Sequence, residues 1–128
     1  MIIIDLNNFS LDAKNELVNE NGELQFWSQP DFAYKKRVHV YDATNDEIGY
    51  VQYKILSIQK DVDVFDKKDK PININQYSLE KIAPYEYNIS KDNKQIMTSK
   101  KQNDKVIIDI KEDINMCILL FYKLLERE

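Results

Sequence analysis

The sequence predicts a mainly β fold, in which a meandering antiparallel sheet closes into a barrel around a hydrophobic C-terminal α-helix. Three observations predict it. Apolar residues alternate at period two through most of the chain, polar turn signals interrupt the alternation at short intervals, and the final run from Met116 to Tyr122 is apolar without a break. The chain has 128 residues and no Gly/Ser-rich linker or composition shift, so residues 1–128 are read as a single domain.

The opening Met1-Ile2-Ile3-Ile4-Asp5-Leu6 reads as a strand. It lacks a basic leader, and Asp5 cuts its apolar run too early for a secretory signal, which predicts an intracellular, cytoplasmic protein. Next, Leu24, Phe26 and Ser28 alternate with Gln25 and Trp27, and Val38 and Val40 with His39 and Tyr41. Ile48, Tyr50 and Gln52 alternate with Val51 and Tyr53, and the run continues through Ile55 and Ile58. Val62 and Val64, Ile72-Asn-Ile74, Tyr85 to Ile89 and Lys105 to Ile110 complete the series. Segments so rich in Ile, Val and Tyr suit half-buried antiparallel strands. Asn19–Gly22, Asp42–Asp46, Asp66–Asp69, Lys91–Lys94 and Gln102–Asp104 supply the hairpin loops. At about 5–6 residues per strand the chain holds about ten to twelve of them. Two hairpins echo each other: Val38-His-Val-Tyr-Asp, a turn and Ile48 return as Tyr85-Glu-Tyr-Asn-Ile-Ser, a turn and Ile96.

The C-terminal run from Ile114 to Leu125 is a helix of a different kind from a surface amphipathic one. Glu112 and Asp113 place a cap and negative charge at its start, with Lys123 and Arg127 near its end, as the helix dipole favours. A helix that is apolar all round must be surrounded by lipid or protein. It is too short for a bilayer, which takes roughly 20 residues, so protein surrounds it. A flat sheet covers one side of a helix. A barrel of around eleven strands covers every side, whereas one of about eight has room only for its own side chains.

Charge and composition exclude several classes of function. Eighteen Lys and Arg against 22 Asp and Glu leave a net charge of -4, unlike a typical nucleic-acid binder. One Cys and one His rule out a disulfide framework and multi-cysteine or His-rich metal sites. Asp61-Val-Asp-Val-Phe-Asp66 lacks the oxygen ligand, Gly and Glu of a calcium loop, since Phe65, Asp66 and Ile72 hold those positions. With Gly22 and Gly49 as the only glycines, no phosphate-cradling glycine loop can form. Cys117 lies inside the apolar helix, where a thiol is buried and unreactive. Lys35-Lys36-Arg37 is the densest basic cluster, beside Tyr34 and Phe32, with Lys67-Lys68-Lys70 and Lys100-Lys101 as lesser ones. On a barrel rim Lys35, Lys36 and Arg37 are candidate contacts for anionic headgroups, each cation contributing about 1 kcal/mol near such a surface. The ordinary reading of such a cluster is a solvated loop.

The order of features resembles the tubby C-terminal superfamily, and within it is most similar to the LURP-one-related proteins, with the phospholipid scramblases as a further branch. The resemblance is carried by Phe9-Ser-Leu11, Leu17-Val-Asn-Glu-Asn-Gly22 and Leu24-Gln-Phe26, followed by Val38-His-Val-Tyr-Asp42 and Ile48-Gly-Tyr-Val-Gln-Tyr-Lys54 with Ser57 beyond. Ile108-Asp-Ile110, the acidic turn Glu112-Asp113 and the apolar helix close it. It implies an antiparallel β-barrel of twelve strands enclosing the hydrophobic C-terminal helix. Tubby proteins bind phosphoinositides through basic residues and scramblases act on membrane lipids. No tubby headgroup motif matches here residue by residue, and the scramblase calcium-binding and membrane-anchoring features are missing.

The sequence thus predicts a non-enzymatic binding or interaction module. Its expected partner is a protein or an anionic lipid headgroup such as a phosphoinositide, with no cofactor, metal, nucleic acid or transmembrane segment. The alternative is a small enzyme whose barrel-mouth site pairs His39 with a nearby carboxylate.

Overall fold

The computed structural model describes residues 1–32, 36–53 and 62–128. Its strands are β1 (Ile2–Asp5), β2 (Asn15–Val18), β3 (Leu24–Asp31), β4 (Arg37–Asp42), β5 (Glu47–Tyr53), β6 (Val62–Phe65), β7 (Tyr77–Ala83), β8 (Glu86–Lys91), β9 (Lys94–Gln102) and β10 (Lys105–Ile110). The helix α1 spans Ile114–Leu124, and 3-10 turns occupy Leu6–Asn8 and Leu125–Arg127. All ten strands join one antiparallel sheet in the order β6-β5-β4-β3-β2-β1-β10-β9-β8-β7. Chain neighbours lie side by side in each half, and the N-terminal strand joins the halves by pairing with β10 from Ile2↔Ile108 to Asp5↔Lys105.

All five expected turn segments sit at strand ends. In the Asp42 and Asp66 turns the leading carboxylate accepts backbone N–H groups two and four residues on, including Thr44 at 2.9 Å and Lys68 at 2.8 Å, which is why such residues initiate turns. The echo between hairpins is structural as well. In β4–β5 the register passes from Val40↔Gly49 to Tyr41↔Glu47, leaving Ile48 as the extra residue of a bulge. In β8–β9 it passes from Ile89↔Met97 to Ser90↔Gln95, leaving Ile96 in the same role. Each bulge twists its strand locally.

The strand number lies within the expected ten to twelve, whereas closure into a barrel of twelve is not seen among the described residues. Ten strands are present among the described residues, and β6 and β7 end the order without a ladder between them. The continuation of the β5 alternation through Ile55 and Ile58 lies outside the described residues. Ile72-Asn-Ile74 is not a strand: pairing there is limited to a bridge between Phe65 and Pro71 and a bond from Ile72 N–H to the Val64 carbonyl at 2.9 Å. Pro71 has no N–H to give a ladder, and the Asn73 side chain accepts from Asn75 N–H at 2.9 Å, bending the chain. β2 and β7 are additions. β7 alternates half-buried Tyr77, Leu79 and Lys81 with exposed Ser78, Glu80 and Ile82, a pattern its charges conceal.

The core is one continuous cluster with α1 at its centre. Every residue from Cys117 to Tyr122 is buried, and at 3.6 residues per turn this run covers every side of a helix. α1 packs on β5 and β6 at one end of the strand order and on β7 and β8 at the other, so the sheet curls round it. Phe121 meets Tyr87 edge-on at 5.5 Å between ring centroids, while the Tyr122 hydroxyl donates to Ser28 on β3 at 2.7 Å. The expected acidic cap is corrected in one respect. Asp113 holds the N-cap position at φ 54° but makes no side-chain cap bond. Its carboxylate instead takes Lys91 Nζ at 2.7 Å and the Tyr77 hydroxyl at 3.3 Å, and Lys91 holds it below the usual carboxylate range.

Candidate functional site

Lys36 and Arg37 of the basic cluster are committed to neighbours. Lys35 lies outside the described residues. Lys36 sits between β3 and β4, pairing with Asp12 at 2.5 Å and resting over the Tyr53 ring at 5.4 Å. Arg37 opens β4, where its Nε donates to Gln52 at 2.9 Å and its guanidinium covers the Tyr50 ring at 5.0 Å. Lys67 and Lys68 form the centre of the Asp66–Asp69 turn, and Lys100 and Lys101 lie near the end of β9.

Arg37 belongs to a cluster on the outer face of β3–β6, opposite the side on which Val38 and Val40 enter the core. Outward register pairs bring His39 against Tyr50 and Tyr50 against Phe65, with ring centroids 4.9 Å apart in both cases. Tyr50 is 2% exposed despite facing outward. Its hydroxyl donates to Asp69 at 2.9 Å, and burial raises its pKa. His39 Nδ1 contacts the Glu47 carboxylate, and its Nε2 lies 3.9 Å from Asp31. The carboxylate expected beside His39 is therefore present, on both sides of the ring. Trp27 stacks on Tyr41 at 4.2 Å with Lys14 over its ring at 4.8 Å.

A different place is concave. β2 pairs with β3 from Asn15↔Ser28 to Val18↔Leu24, and β1 with β10 along its whole length, but β1 and β2 meet in register only at Ile3↔Val18. Beyond that pair the strands separate beneath the loop that joins them, leaving a cleft of about 490 Å³. Ile3, Ile4, Phe9 and Val18 supply its apolar surface, while Asp5, Lys14, Glu16 and Lys105 bring both signs of charge. Asn15, 3% exposed, fixes the loop: its amide donates to the carbonyls of Ser10 at 2.6 Å and Ala13 at 3.2 Å, and its oxygen accepts from Ser10 N–H at 3.0 Å. The Asp5 oxygens are spent locally on Asn7 N–H and the Asn8 amide, each at 3.0 Å. Sequence reasoning passed over this cleft because its residues come from three strands and a loop. The one local signal was an Asn placed where a buried apolar residue belongs.

Cys117 is 0% exposed, and its Sγ lies 3.5 Å from the Glu112 carbonyl. Burial pushes the thiol up to about 12, and the charges of Asp113 and Glu112 act in the same direction. Thiolate is the reactive form. Ellman's reagent at pH 8 is therefore expected to label the native protein about 1,000-fold more slowly than a free cysteine and rapidly once it is unfolded. Prompt labelling of the folded chain would show the helix to be accessible. Among the described residues, no group of three or more His, Cys, Asp or Glu is placed to hold a metal ion, and no helix is long and apolar enough to cross a membrane.

No protein-family model matches the chain, and no curated protein matches it. In three dimensions it is similar to the crystal structure of a protein from Arabidopsis thaliana, with a TM-score of 0.61 at 11% identity, over 98% of this chain and 88% of that one. At that identity the likeness is one of fold.

Proposed function

We propose that the chain is a non-enzymatic binding module of the LURP-one-related kind, a barrel of about twelve strands held rigid by its central helix. The packing of α1 against both ends of the strand order supports the barrel. The observation that carries the binding function is the cleft at the β1–β2 seam. Its volume of about 490 Å³ falls within the roughly 300–1,000 Å³ of small-ligand sites. Its lining contains no Ser, Thr, Cys, His or Tyr, so it offers no hydroxyl, thiol or imidazole nucleophile. The occupant that suits it is a small amphipathic molecule, with its apolar body on Ile3, Phe9 and Val18 and its charged head among Lys14, Lys105 and Glu16.

The test uses anilinonaphthalene sulfonate, an aromatic anion. Saturable fluorescence enhancement is expected with the folded chain, and Val18→Trp, which fills the cleft, should weaken it about tenfold, a loss of about 1.4 kcal/mol. Equal binding by the two proteins would refute the assignment. A headgroup site at Lys35, Lys36 and Arg37 predicts instead that phosphoinositide vesicles sediment the protein at low salt, where surface electrostatics are strongest. It also predicts that Lys36→Gln with Arg37→Gln abolishes this. For the enzymatic alternative, the His39–Glu47 contact supplies an oriented imidazole. Asp31 near the other ring nitrogen favours an ion-pairing role on the outer face, and loss of fold stability in His39→Ala with unchanged ligand binding would agree with that.

A further inference from the structure

At the corner between β7 and β8 three donors from one hairpin converge on a single carboxylate. Tyr85 N–H donates to Glu128 Oε2 at 3.1 Å, the Tyr87 hydroxyl donates to the same oxygen, and Lys81 Nζ lies 3.3 Å from Oε1. Lys81 also reaches the Arg127 carbonyl at 2.7 Å. Each oxygen thus has its own donor, and the set of backbone amide, phenol and ammonium is complementary to a carboxylate. Glu128 comes from another part of the fold, beyond α1 and the terminal 3-10 turn.

Two of the donors, Tyr85 and Tyr87, are held in place without it. The Ser99 hydroxyl on β9 donates to the Tyr85 carbonyl at 2.9 Å and accepts from Tyr87 N–H at 2.9 Å, which fixes both sides of the corner. Tyr85 takes φ 60° in the turn. The Tyr87 ring is wedged edge-on against Phe121 and is 0% exposed. A phenol so buried loses a partner at considerable cost if nothing accepts its proton. The acceptor is at the surface, since the Glu128 side chain retains 14% exposure.

We propose that the β7–β8 corner is a preformed carboxylate-binding site which Glu128 fills in cis, and that a free carboxylate takes the same place when that side chain is absent. Glu128 thus ties the terminal turn to the hairpin by a contact that an outside carboxylate can replace, beside the bond from Lys81 to the Arg127 carbonyl. This site is separate from the β1–β2 cleft, and neither assignment depends on the other.

The test is chemical rescue. Glu128→Ala in the full chain is expected to lower the melting temperature by about 5 °C. Sodium acetate should restore part of that loss in a saturable way, as binding to the native state requires. Sodium chloride at equal ionic strength should not, and acetate should raise the variant's melting temperature more than the parent's, whose rise measures the general salt effect. Adding Tyr87→Phe to Glu128→Ala should weaken the rescue. Acetate acting no better than chloride, or equally on parent and variant, would overturn the proposal. If Glu128→Ala does not fold, Glu128→Gln is measured in the parent and in a Tyr87→Phe background. Equal losses in the two would show that the phenol and carboxylate are uncoupled and would likewise overturn it.

Discussion

Gly49→Ala is expected to destabilise the protein by about 2–6 kcal/mol, enough to remove much of the roughly 5–15 kcal/mol that a domain of this kind has. The two causes act together at one atom. Gly49 lies at φ 148°, in a region that residues with a side chain rarely enter, at a cost of roughly 1–3 kcal/mol. A Cβ there would stand 2.4 Å from the Phe65 carbonyl oxygen and 2.9 Å from Leu119 Cδ1. The first neighbour is backbone of the paired strand β6 and cannot turn aside. The second is a side chain of the buried helix, 1% exposed, and moving it means repacking the core, with overpacking adding roughly 1–3 kcal/mol. The position follows the Ile48 bulge, so the strand needs its unusual φ to regain register with Val40. The contrast is Gly22, also at positive φ, where a Cβ meets nothing within 4 Å. Gly22→Ala should therefore cost only the strain. Urea melts of both variants make the comparison, and a Gly49→Ala midpoint equal to that of Gly22→Ala would show that the helix does not press on this strand.

Gly49 also marks the limit of what its neighbourhood discloses in sequence. The alternation of Val38 and Val40 with His39 and Tyr41 is legible because one face of each strand is buried and the other wet. The bulges are legible only as an echo between Ile48 and Ile96, since a single extra residue leaves no local mark of which strand it interrupts. β7 escapes because Ser78, Glu80 and Lys81 dilute an alternation that half-burial does not enforce. Ile72 and Ile74 mislead for the opposite reason: they pack on the core from a bent segment that Pro71 and Asn73 keep out of the ladder. The candidate sites are harder still. The basic triplet stands out in sequence, yet Lys36 and Arg37 are spent on Asp12, Tyr53, Gln52 and Tyr50. The cleft and the carboxylate corner are built from residues distant in sequence, such as Ile3 with Val18, or Tyr87 with Glu128. Their chemistry exists only after the strands are in register.

A chain ending at Glu112 is expected to show no cooperative melt. α1 and the turn after it contribute Cys117 through Tyr122, Leu124 and Leu125 to the core. Each large apolar side chain among them gains about 1.5–3 kcal/mol by burial, while fixing the backbone costs about 1–2 kcal/mol per residue. Those terms largely offset each other, so the helix adds little by its own burial. What decides the outcome is the remainder. Without α1, the inward side chains Val38, Val51, Tyr87, Ile89 and Met97, all buried now, would line a hollow that no other described residue fills, and cavities are penalised by volume. Polar contacts would be lost as well, among them Tyr122 with Ser28, the Tyr53 hydroxyl with the Tyr122 carbonyl at 3.5 Å, and Lys123 Nζ with the Val62 carbonyl at 2.5 Å. A point substitution keeps the prediction quantitative if the truncated chain aggregates. Phe121→Ala removes a ring that touches both Tyr87 and Tyr122, and should cost about 3–5 kcal/mol with the urea m-value unchanged. A truncated chain that melts cooperatively, or a Phe121→Ala variant within about 1 kcal/mol of the parent, would mean that the sheet stands without its central helix.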